Sequence, residues 1–383
     1  MLTGTLLGTA VGFVLWVIAG YPLALSWLAR RRALPTVKRL DHRTVSILLP
    51  VHDGEAWIGP KLESILNLSY PRKLVQTIVI CDGCTDRTEQ IARRYARFGL
   101  EVIALPHGGK AVALNEGLRR ATGEILFFTD VRQQLDRDCL ANLVACFADS
   151  RVGAVSGELV ICDGATHEEA NTGLYWKYEK WLRKRQSRLD SVLGATGAVW
   201  AIRAALARPL APETILDDVN QPLNAFFAGY RVLIEESALA YDYPTSLETE
   251  FRRKVRTQAG VYQTIREFPE LLSQTRNRMW LHFMSHKLGR LLLPWALLSI
   301  LLLSFALPPV WRALFVASQA LFYGLAAADM VIPERSRLKR LSSPVRTFVV
   351  LMAAAAMAVS ILFVSHKTLW KETRVTIEKA RAA

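Results

Sequence analysis

VICDGCTDRT, residues 79–88, places a run of apolar, largely β-branched residues directly before two aspartates and a glycine. The apolar run predicts a buried β-strand, and the residues after it predict a helix capped by Thr85 or Asp86. In doubly wound sheets, ligands bind beyond the carboxyl ends of the strands. A strand that ends on Asp82 therefore indicates a binding site, although Asp82 and Gly83 also fit a purely structural turn.

The alternation of strands and helices continues along residues 44–130. Apolar runs predict strands and the amphipathic stretches between them predict helices, with strands at 45–49, 75–81, 101–105 and 125–129 and helices at 55–68, 86–97 and 111–121. This order is typical of an α/β fold with a mostly parallel sheet and helices on both faces. Asp53, Asp82 and Asp130 each follow a strand, so we expect them at one edge of the sheet.

Apolar residues are concentrated at both ends of the 383-residue chain, whose hydrophobic fraction is 51%. The uncharged segment 6–28 is long enough to cross a hydrocarbon core of about 30 Å. Arg30, Arg31 and Arg32 follow this segment and place the central domain in the cytoplasm, whereas a cleaved signal peptide would carry its basic residues before the apolar run. Further spans are predicted at 291–306, 313–332 and 347–364.

The side of the membrane on which the C-terminal tail lies is left open by these counts. The basic loop 333–346 is expected in the cytoplasm, and counting spans from it puts the tail outside. The tail nevertheless carries Lys367, Lys371, Arg374, Lys379 and Arg381. The last apolar segment is therefore either a span or an interfacial or re-entrant segment.

The formal net charge of +14 indicates membrane lipids and not nucleic acid as the partner of the basic residues. These residues cluster beside the apolar spans, where anionic lipid accounts for them, and no nucleic-acid-binding signature is present. The cysteines, 5 in number, argue against a disulfide framework in a cytoplasmic domain. Cys81 and Cys84 form a CxxC pair without a second pair, which argues against zinc.

The stretch His107-Gly108-Gly109-Lys110 opens the third predicted helix. It fails as a phosphate-binding P-loop, because Ala111 stands where serine or threonine is required. No GxGxxG follows the first strand, which disfavours a dinucleotide oxidoreductase. Lys110 at a helix start still suits an anionic group through its own charge and the helix dipole, or it is a solvated surface lysine.

A series of motifs in this order resembles the membrane-bound family 2 glycosyltransferases, which include poly-N-acetylglucosamine, hyaluronan and cellulose synthases. The motifs are LLPVHDGEAW (48–57), CDGCTD (81–86), GGKAVALN (108–115), FFTDV (127–131), GATGAVWAIR (194–203) and ILDDV (215–219). The resemblance covers residues 44 to about 260 and the flanking spans. It implies a GT-A, Rossmann-like sheet with transmembrane helices at both ends.

The activity that the resemblance implies is inverting transfer of a sugar from a nucleotide-sugar, foremost a UDP-sugar, to a glycan acceptor in exopolysaccharide synthesis. The location implied is a bacterial inner (plasma) membrane. Asp53, Asp82 and Lys110 are implied to contact the nucleotide, and Asp130 to bind Mg²⁺ or Mn²⁺. The chemistry agrees, because negative charge grows on the leaving diphosphate and hard oxygen ligands suit these cations.

Arg132 stands where the second acid of the usual DxD pattern is expected. Either Asp130 suffices beside the diphosphate, or Arg132 itself neutralises phosphate.

The acidic pair of ILDDV is implied to supply the catalytic base. Asp218 would take the proton of the acceptor hydroxyl, with Asp217 as the neighbouring acid. Both also fit the first turn of a helix over 219–228. Gly194, Thr196 and Gly197 are implied to lie on the acceptor side.

FRRKVRTQAG, residues 251–260, stands where processive members of the family carry Gln-x-x-Arg-Trp. Arg253 and Arg256 are implied to hold the diphosphate, while Thr257 replaces the aromatic residue under the acceptor sugar. The same stretch also fits a plain interfacial basic helix. The replacement keeps open single-sugar transfer to a lipid-linked acceptor and, as a third possibility, a non-catalytic nucleotide-binding membrane scaffold.

The sequence thus predicts five parts in the chain. They are an N-terminal transmembrane helix with its basic flank (1–32), a cytoplasmic catalytic domain (44–265), interfacial helices (266–290), C-terminal transmembrane helices (291–365) and a basic tail (366–383).

Overall fold

The computed structural model describes residues 2–161, 167–243, 247–333 and 336–363, with the backbone alone for 167–174 and 247. The predicted basic tail lies outside the described residues. Within them the chain forms two compact units. The sheet unit comprises residues 32–161 and 183–243, and the helical unit comprises 2–31, 167–182, 247–333 and 336–363.

The strands of the sheet unit are β1 (Val45–Val51), β2 (Val75–Asp82), β3 (Glu101–Leu105), β4 (Ile125–Phe128), β5 (Gln134–Leu135), β6 (Val152–Ile161), β7 (Trp200–Arg203) and β8 (Arg231–Asp242). The α-helices of the described residues are α1 (Leu2–Leu15), α2 (Tyr21–Arg31), α3 (Glu55–Leu66), α4 (Thr88–Tyr95), α5 (Lys110–Arg120), α6 (Cys139–Ala145), α7 (His167–Leu189), α8 (Asp217–Phe227), α9 (Leu247–Glu267), α10 (Trp280–His282), α11 (Gly289–Ser304), α12 (Pro309–Ala328) and α13 (Lys339–Met357).

The strands form one mixed sheet in the order β3-β2-β1-β4-β7-β6-β8-β5. Strand pairing is parallel for β3–β2, β2–β1, β1–β4 and β6–β8. It is antiparallel for β4–β7, β7–β6 and β8–β5. The prediction of a mostly parallel sheet is confirmed, with the antiparallel pairs confined to the half that begins at β7.

The register of the parallel half brings several carboxyl ends to one edge. Val51 of β1 lies opposite Cys81 of β2, and Leu48 of β1 lies opposite Phe128 of β4. The residues that follow these strands therefore emerge side by side, as the sequence predicts. The chain can enter β4 so close to β1 only because residue 123 is glycine, since a Cβ there would lie 2.4 Å from the Ser46 nitrogen.

The core of the sheet unit is formed by the continuous apolar runs of its strands. Ile47, Leu49, Val79 and Phe127 are fully buried. A run buried on both faces needs no polar alternation, which explains why these strands read as unbroken apolar segments.

The helical unit contains 4 helices that are long and apolar enough to cross a membrane by length and composition. They are Leu2–Arg31, Trp280–Ser304, Pro309–Ala328 and Lys339–Leu362. Each predicted span overlaps one of these helices. Inside the unit, the Trp16 Nε1 donates to Ser285 Oγ at 3.0 Å, and buried Asp329 pairs with Lys339 Nζ at 3.2 Å.

Candidate active site

Asp82, the last residue of β2, is a buried acid that receives backbone hydrogen bonds. Gly108 N–H donates to its Oδ1 at 2.7 Å and Gly109 N–H donates to its Oδ2 at 2.9 Å. Asp82 thereby fixes the loop that leads into α5 against the end of β2. Gly83 has φ 58°, and a Cβ there would lie 2.5 Å from the His107 Cβ, so the close approach of this loop requires glycine.

Two histidines flank Asp82, and no role was predicted for either of them. The His52 Nδ1 donates to the Asp82 carbonyl oxygen at 2.6 Å, and the His107 Nδ1 lies 3.2 Å from Asp82 Oδ2. The two imidazole rings lie 4.4 Å apart between centroids. Polar and aromatic groups therefore surround the carboxylate that is predicted to contact the nucleotide.

Asp53 holds together two loops, the one that follows β1 and the one that follows β2. It adopts a left-handed backbone conformation with φ 44°, and its Oδ1 accepts the Thr85 N–H at 2.7 Å. Its Oδ2 accepts the Thr85 hydroxyl at 3.0 Å. The backbone hydrogen bond from Thr85 lowers the pKa of Asp53, so the carboxylate stays ionised. It thereby fixes the turn that follows β2. A nucleotide contact by Asp53 stays a prediction.

The prediction that Thr85 or Asp86 caps α4 is wrong, because the N-cap residue is Arg87 and its side chain makes no capping hydrogen bond. Asp86 still supports the helix start, since its Oδ1 accepts the Thr88 N–H at 2.9 Å. The helix begins two residues later than the predicted residue 86.

Lys110, at the start of α5, joins acids from two other elements. Its Nζ lies 2.9 Å from Asp130 Oδ1, just beyond β4, and 3.1 Å from Asp217 Oδ1, at the start of α8. Burial opposes its charge, but the neighbouring Asp130 and Asp217 carboxylates hold the pKa of Lys110 above its ordinary value. Lys110 is therefore a permanent cation within an acidic cluster, which rules out the plain solvated lysine.

Asp218 lies close to Asp130 and completes the acidic cluster, which consists of Asp130, Asp217 and Asp218 around Lys110. A Cβ built on Gly197 would be 3.3 Å from Asp218 Oδ2 and 3.6 Å from Asp130 Oδ2, so both carboxylates face the space that this glycine leaves open. Desolvation, followed by the charge of Asp217, raises the pKa of Asp218 to about 6. A carboxylate of this basicity is suited to accept a proton near neutral pH.

The loop before β7 is fixed to this acidic cluster by backbone contacts. Ala195 N–H donates to the Asp218 carbonyl oxygen at 2.6 Å, and Gly194 has φ 127° close against Val219. Arg183 donates to Thr196 Oγ1 and to the Gly194 carbonyl oxygen, each at 3.0 Å. The sequence gives no signal for Arg183, because it is one of several basic residues in a basic helix.

The residues present fit a hard divalent cation. Asp130 and Asp218 present carboxylate oxygens to one space, and buried Asp217 Oδ2 has no hydrogen-bond partner among the described residues. Mg²⁺ and Mn²⁺ take such oxygens together with phosphate oxygens and water. Two other groups of three side chains in the described residues have their potential metal-binding atoms within 4.8 Å of one another. They are His52–Asp82–His107 and Asp53–Cys84–Asp86.

Arg132 forms an ion pair with Asp242. Its Nη2 lies 2.5 Å from Asp242 Oδ2 at the end of β8, and Asp242 is buried. The guanidinium charge is thus already compensated, which favours the alternative in which Asp130 serves without Arg132.

Arg253 and Arg256 lie on α9 in the helical unit, whereas the residues described above belong to the sheet unit. Arg253 pairs with Glu250 at 2.7 Å and lies 5.9 Å from the ring centroid of Trp176. A diphosphate contact by Arg253 or Arg256 stays a prediction.

The sheet and its acidic edge define a GT-A fold. Among solved structures, the mannosyltransferase PcManGT from Pyrobaculum calidifontis, in complex with GDP-Man and Mn²⁺, is similar with a TM-score of 0.72 and 24% identity, over 94% of this chain and 99% of that one. Residues 46–210 match the family model described as glycosyl transferase family 2. The segment 46–210 therefore carries a family 2 glycosyltransferase domain.

Curated relatives share parts of the chain. A beta-monoglucosyldiacylglycerol synthase of Nostoc sp. is 35% identical over 116 residues, which is 29% of this chain and 25% of the relative. The poly-beta-1,6-N-acetyl-D-glucosamine synthase of Staphylococcus epidermidis is 23% identical over 233 residues, 58% of this chain and 55% of the relative. The chain thus spans about half or less of the length of these relatives.

Proposed function

We propose that the protein is an inverting, metal-dependent glycosyltransferase that moves a sugar from a nucleotide-sugar to a glycan or lipid-linked acceptor at a membrane. The observation that carries this proposal is the convergence of Asp130, Asp217 and Asp218 around Lys110 at the carboxyl edge of the parallel strands. These residues are far apart in the chain, and packing alone gives no reason to gather their charges.

On the donor side, the residues of the sheet unit would bind and orient the nucleotide diphosphate. Asp82 would accept a hydrogen bond from the nucleobase, with His52 and His107 beside it. Lys110, fixed at the N-terminus of α5, would balance negative charge on the diphosphate together with the helix dipole. When bound by Asp130, a divalent cation supplies further positive charge for the leaving diphosphate.

On the acceptor side, Asp218 would take the proton of the attacking hydroxyl. Its raised pKa makes it a better base than an ordinary aspartate, and the acids beside it sustain this basicity. Gly197 leaves space next to this carboxylate, where a side chain would block an acceptor. Because attack occurs opposite the leaving group, an α-linked donor would give a β-glycoside.

The membrane setting is supported by the 4 apolar helices and by the basic residues next to them. We place the catalytic unit in the cytoplasm of a bacterial inner (plasma) membrane protein, because Arg30, Arg31 and Arg32 follow the first of these helices.

Single-sugar transfer to a lipid-linked acceptor is favoured over polymer synthesis by one observation. Thr257 stands where processive members carry tryptophan, and its hydroxyl donates to the Arg253 carbonyl oxygen at 2.8 Å within α9. It therefore offers no aromatic surface to a sugar. A relative that acts as a beta-monoglucosyldiacylglycerol synthase gives a precedent for such an acceptor.

The test is nucleotide release by the full chain purified in detergent. UDP-sugars would be compared with GDP-sugars, because the donor of the structurally similar mannosyltransferase is GDP-Man. We expect release with one donor class that depends on Mn²⁺ or Mg²⁺ and is lost in Asp218→Asn. If neither donor class gives nucleotide release above background in the presence of membrane lipid extract, the non-catalytic nucleotide-binding scaffold is favoured. Gel analysis of labelled product separates single transfer from a polymer.

A further inference from the structure

Lys61, on α3, is a fully buried lysine that the mechanism above does not use. Its exposed fraction is 0%. Lysine is almost never fully buried unless its ammonium group is paired. Burial lowers the pKa of Lys61 to about 7, which reflects the cost of a charge at this position. Stability alone therefore gives little reason for a lysine here, because methionine would fill a similar volume.

The ammonium group of Lys61 contacts both ends of the loop that carries Asp130. Lys61 Nζ donates to Thr129 Oγ1 at 2.6 Å and to the Gln133 carbonyl oxygen at 2.6 Å. Thr129 precedes Asp130, and Gln133 closes the loop before β5. The two hydrogen bonds thus span the base of the loop.

The Thr129 hydroxyl extends this connection to the acceptor side. It donates to the Ala198 carbonyl oxygen at 2.7 Å. Ala198 follows Gly197, which lies between Asp130 and Asp218. Lys61 and Thr129 therefore link the loop of Asp130 to the segment that faces both carboxylates.

The far side of the same loop is held by Asp242. Its Oδ2 accepts from Arg132 Nη2 at 2.5 Å and from Gln133 Nε2 at 2.9 Å. With the loop fixed at its base and its side, Asp130 Oδ1 lies 2.9 Å from Lys110 Nζ.

We propose that Lys61 is a positioning residue, which orients Asp130 for cation binding by closing the base of loop 129–133. This inference rests on the proposed metal role of Asp130 and extends it to a residue that touches neither donor nor cation. Groups that orient a metal ligand typically change metal affinity 10- to 100-fold when they are removed, so an effect of about tenfold is expected.

The experiment measures Mn²⁺ binding to the full chain in detergent by electron paramagnetic resonance, with saturating UDP and, in parallel, GDP. Lys61→Met should raise the Mn²⁺ concentration for half-saturation about tenfold. Nucleotide affinity without Mn²⁺ should change less than about twofold. The matched control is Leu62→Ala, which removes a buried apolar side chain next to Lys61 and leaves both Lys61 hydrogen bonds to the loop in place. It should lower Tm and leave Mn²⁺ binding unchanged.

Two further variants make the outcomes distinct. Asp130→Ala should weaken Mn²⁺ binding at least as strongly as Lys61→Met. If Asp130→Ala has no effect, the metal role fails and the Lys61 proposal fails with it. If Asp130→Ala weakens binding but Lys61→Met does not, or if Leu62→Ala weakens it equally, only the Lys61 proposal is overturned. Should Lys61→Met not fold, Thr129→Val decides, because unchanged Mn²⁺ binding in that variant contradicts the proposal.

Discussion

Asp218 is the residue on which the proposed chemistry of the site depends. Asparagine has the same shape but cannot take a proton, so Asp218→Asn should lower the rate of transfer by about 10² to 10⁴, the usual contribution of a general base. Nucleotide affinity should stay nearly unchanged, because Asp218 lies on the acceptor side in the proposed mechanism. Nucleotide release and calorimetric binding measure the two effects separately, and loss of binding with the rate would argue against the base assignment.

The raised pKa of Asp218 also predicts how stability depends on pH in chelator-treated protein. The folded state retains the proton up to a pKa of about 6, whereas the ordinary value is 3.8. Stability from this group is therefore present below the ordinary pKa and is lost as pH rises through about 6. The loss is at most about 3 kcal/mol, and less because the side chain is only half-buried.

Asp218→Asn cannot titrate and supplies the control. Its Tm relative to the unsubstituted chain should rise between pH 4 and pH 7. A difference in Tm that stays constant over this range would contradict the assigned pKa.

Most of the acidic cluster was predictable from residue type and order, but its supports were not. Asp130 follows an apolar run, as Asp82 does outside the cluster, and a carboxylate after a buried strand is a strong signal. Lys61 carries no such signal, since a lysine in an amphipathic helix is normally solvated and only tertiary packing buries it. The pairing of Arg132 with Asp242 likewise joins residues far apart in sequence.

At the scale of elements, the four predicted strands and their parallel arrangement are confirmed, whereas the strands of the other half of the sheet were not predicted. The runs at 45–49, 75–81, 101–105 and 125–129 agree with β1 to β4 within two residues at each end. An apolar run specifies burial but not direction, which depends on the connections between strands. The antiparallel pairing of β4 with β7 could therefore not be deduced, and it places Phe128 beside Trp200.

The stacked pair of Phe128 and Trp200 gives a prediction for this junction. The rings lie 4.0 Å apart at an interplanar angle of 4°, and Trp200 is fully buried. Its Nε1 has no hydrogen-bond partner among the described residues. Trp200→Phe keeps an aromatic ring and removes this unpaired donor, so it should cost less than about 1.5 kcal/mol. Trp200→Ala leaves a cavity and should cost about 3–5 kcal/mol. Thermal unfolding in detergent measures both, and equal losses would contradict the stacking argument.

At the scale of the whole molecule, the apolar helices and the basic residues beside them lead to one proposed topology. The first helix ends at Arg31 and the loop before Lys339 is basic, so both regions should be cytoplasmic. The connection between Trp280–Ser304 and Pro309–Ala328 is short and uncharged, which suits the outer face. Helix length and composition give this result without any tertiary contact, which is why the sequence alone predicted it.

Cysteine labelling tests this topology with a membrane-impermeant maleimide on intact spheroplasts. Thr3→Cys and Leu307→Cys should be labelled, because both positions are proposed to lie outside. Ala33→Cys and Ser336→Cys should be labelled only after permeabilisation. The unsubstituted chain is the control, since its 5 cysteines, at 81, 84, 139, 146 and 162, all lie within residues 44–265, which are proposed to be cytoplasmic. Labelling of Ala33→Cys in intact spheroplasts would place the acidic cluster on the outer side, where cytoplasmic nucleotide-sugars do not reach it.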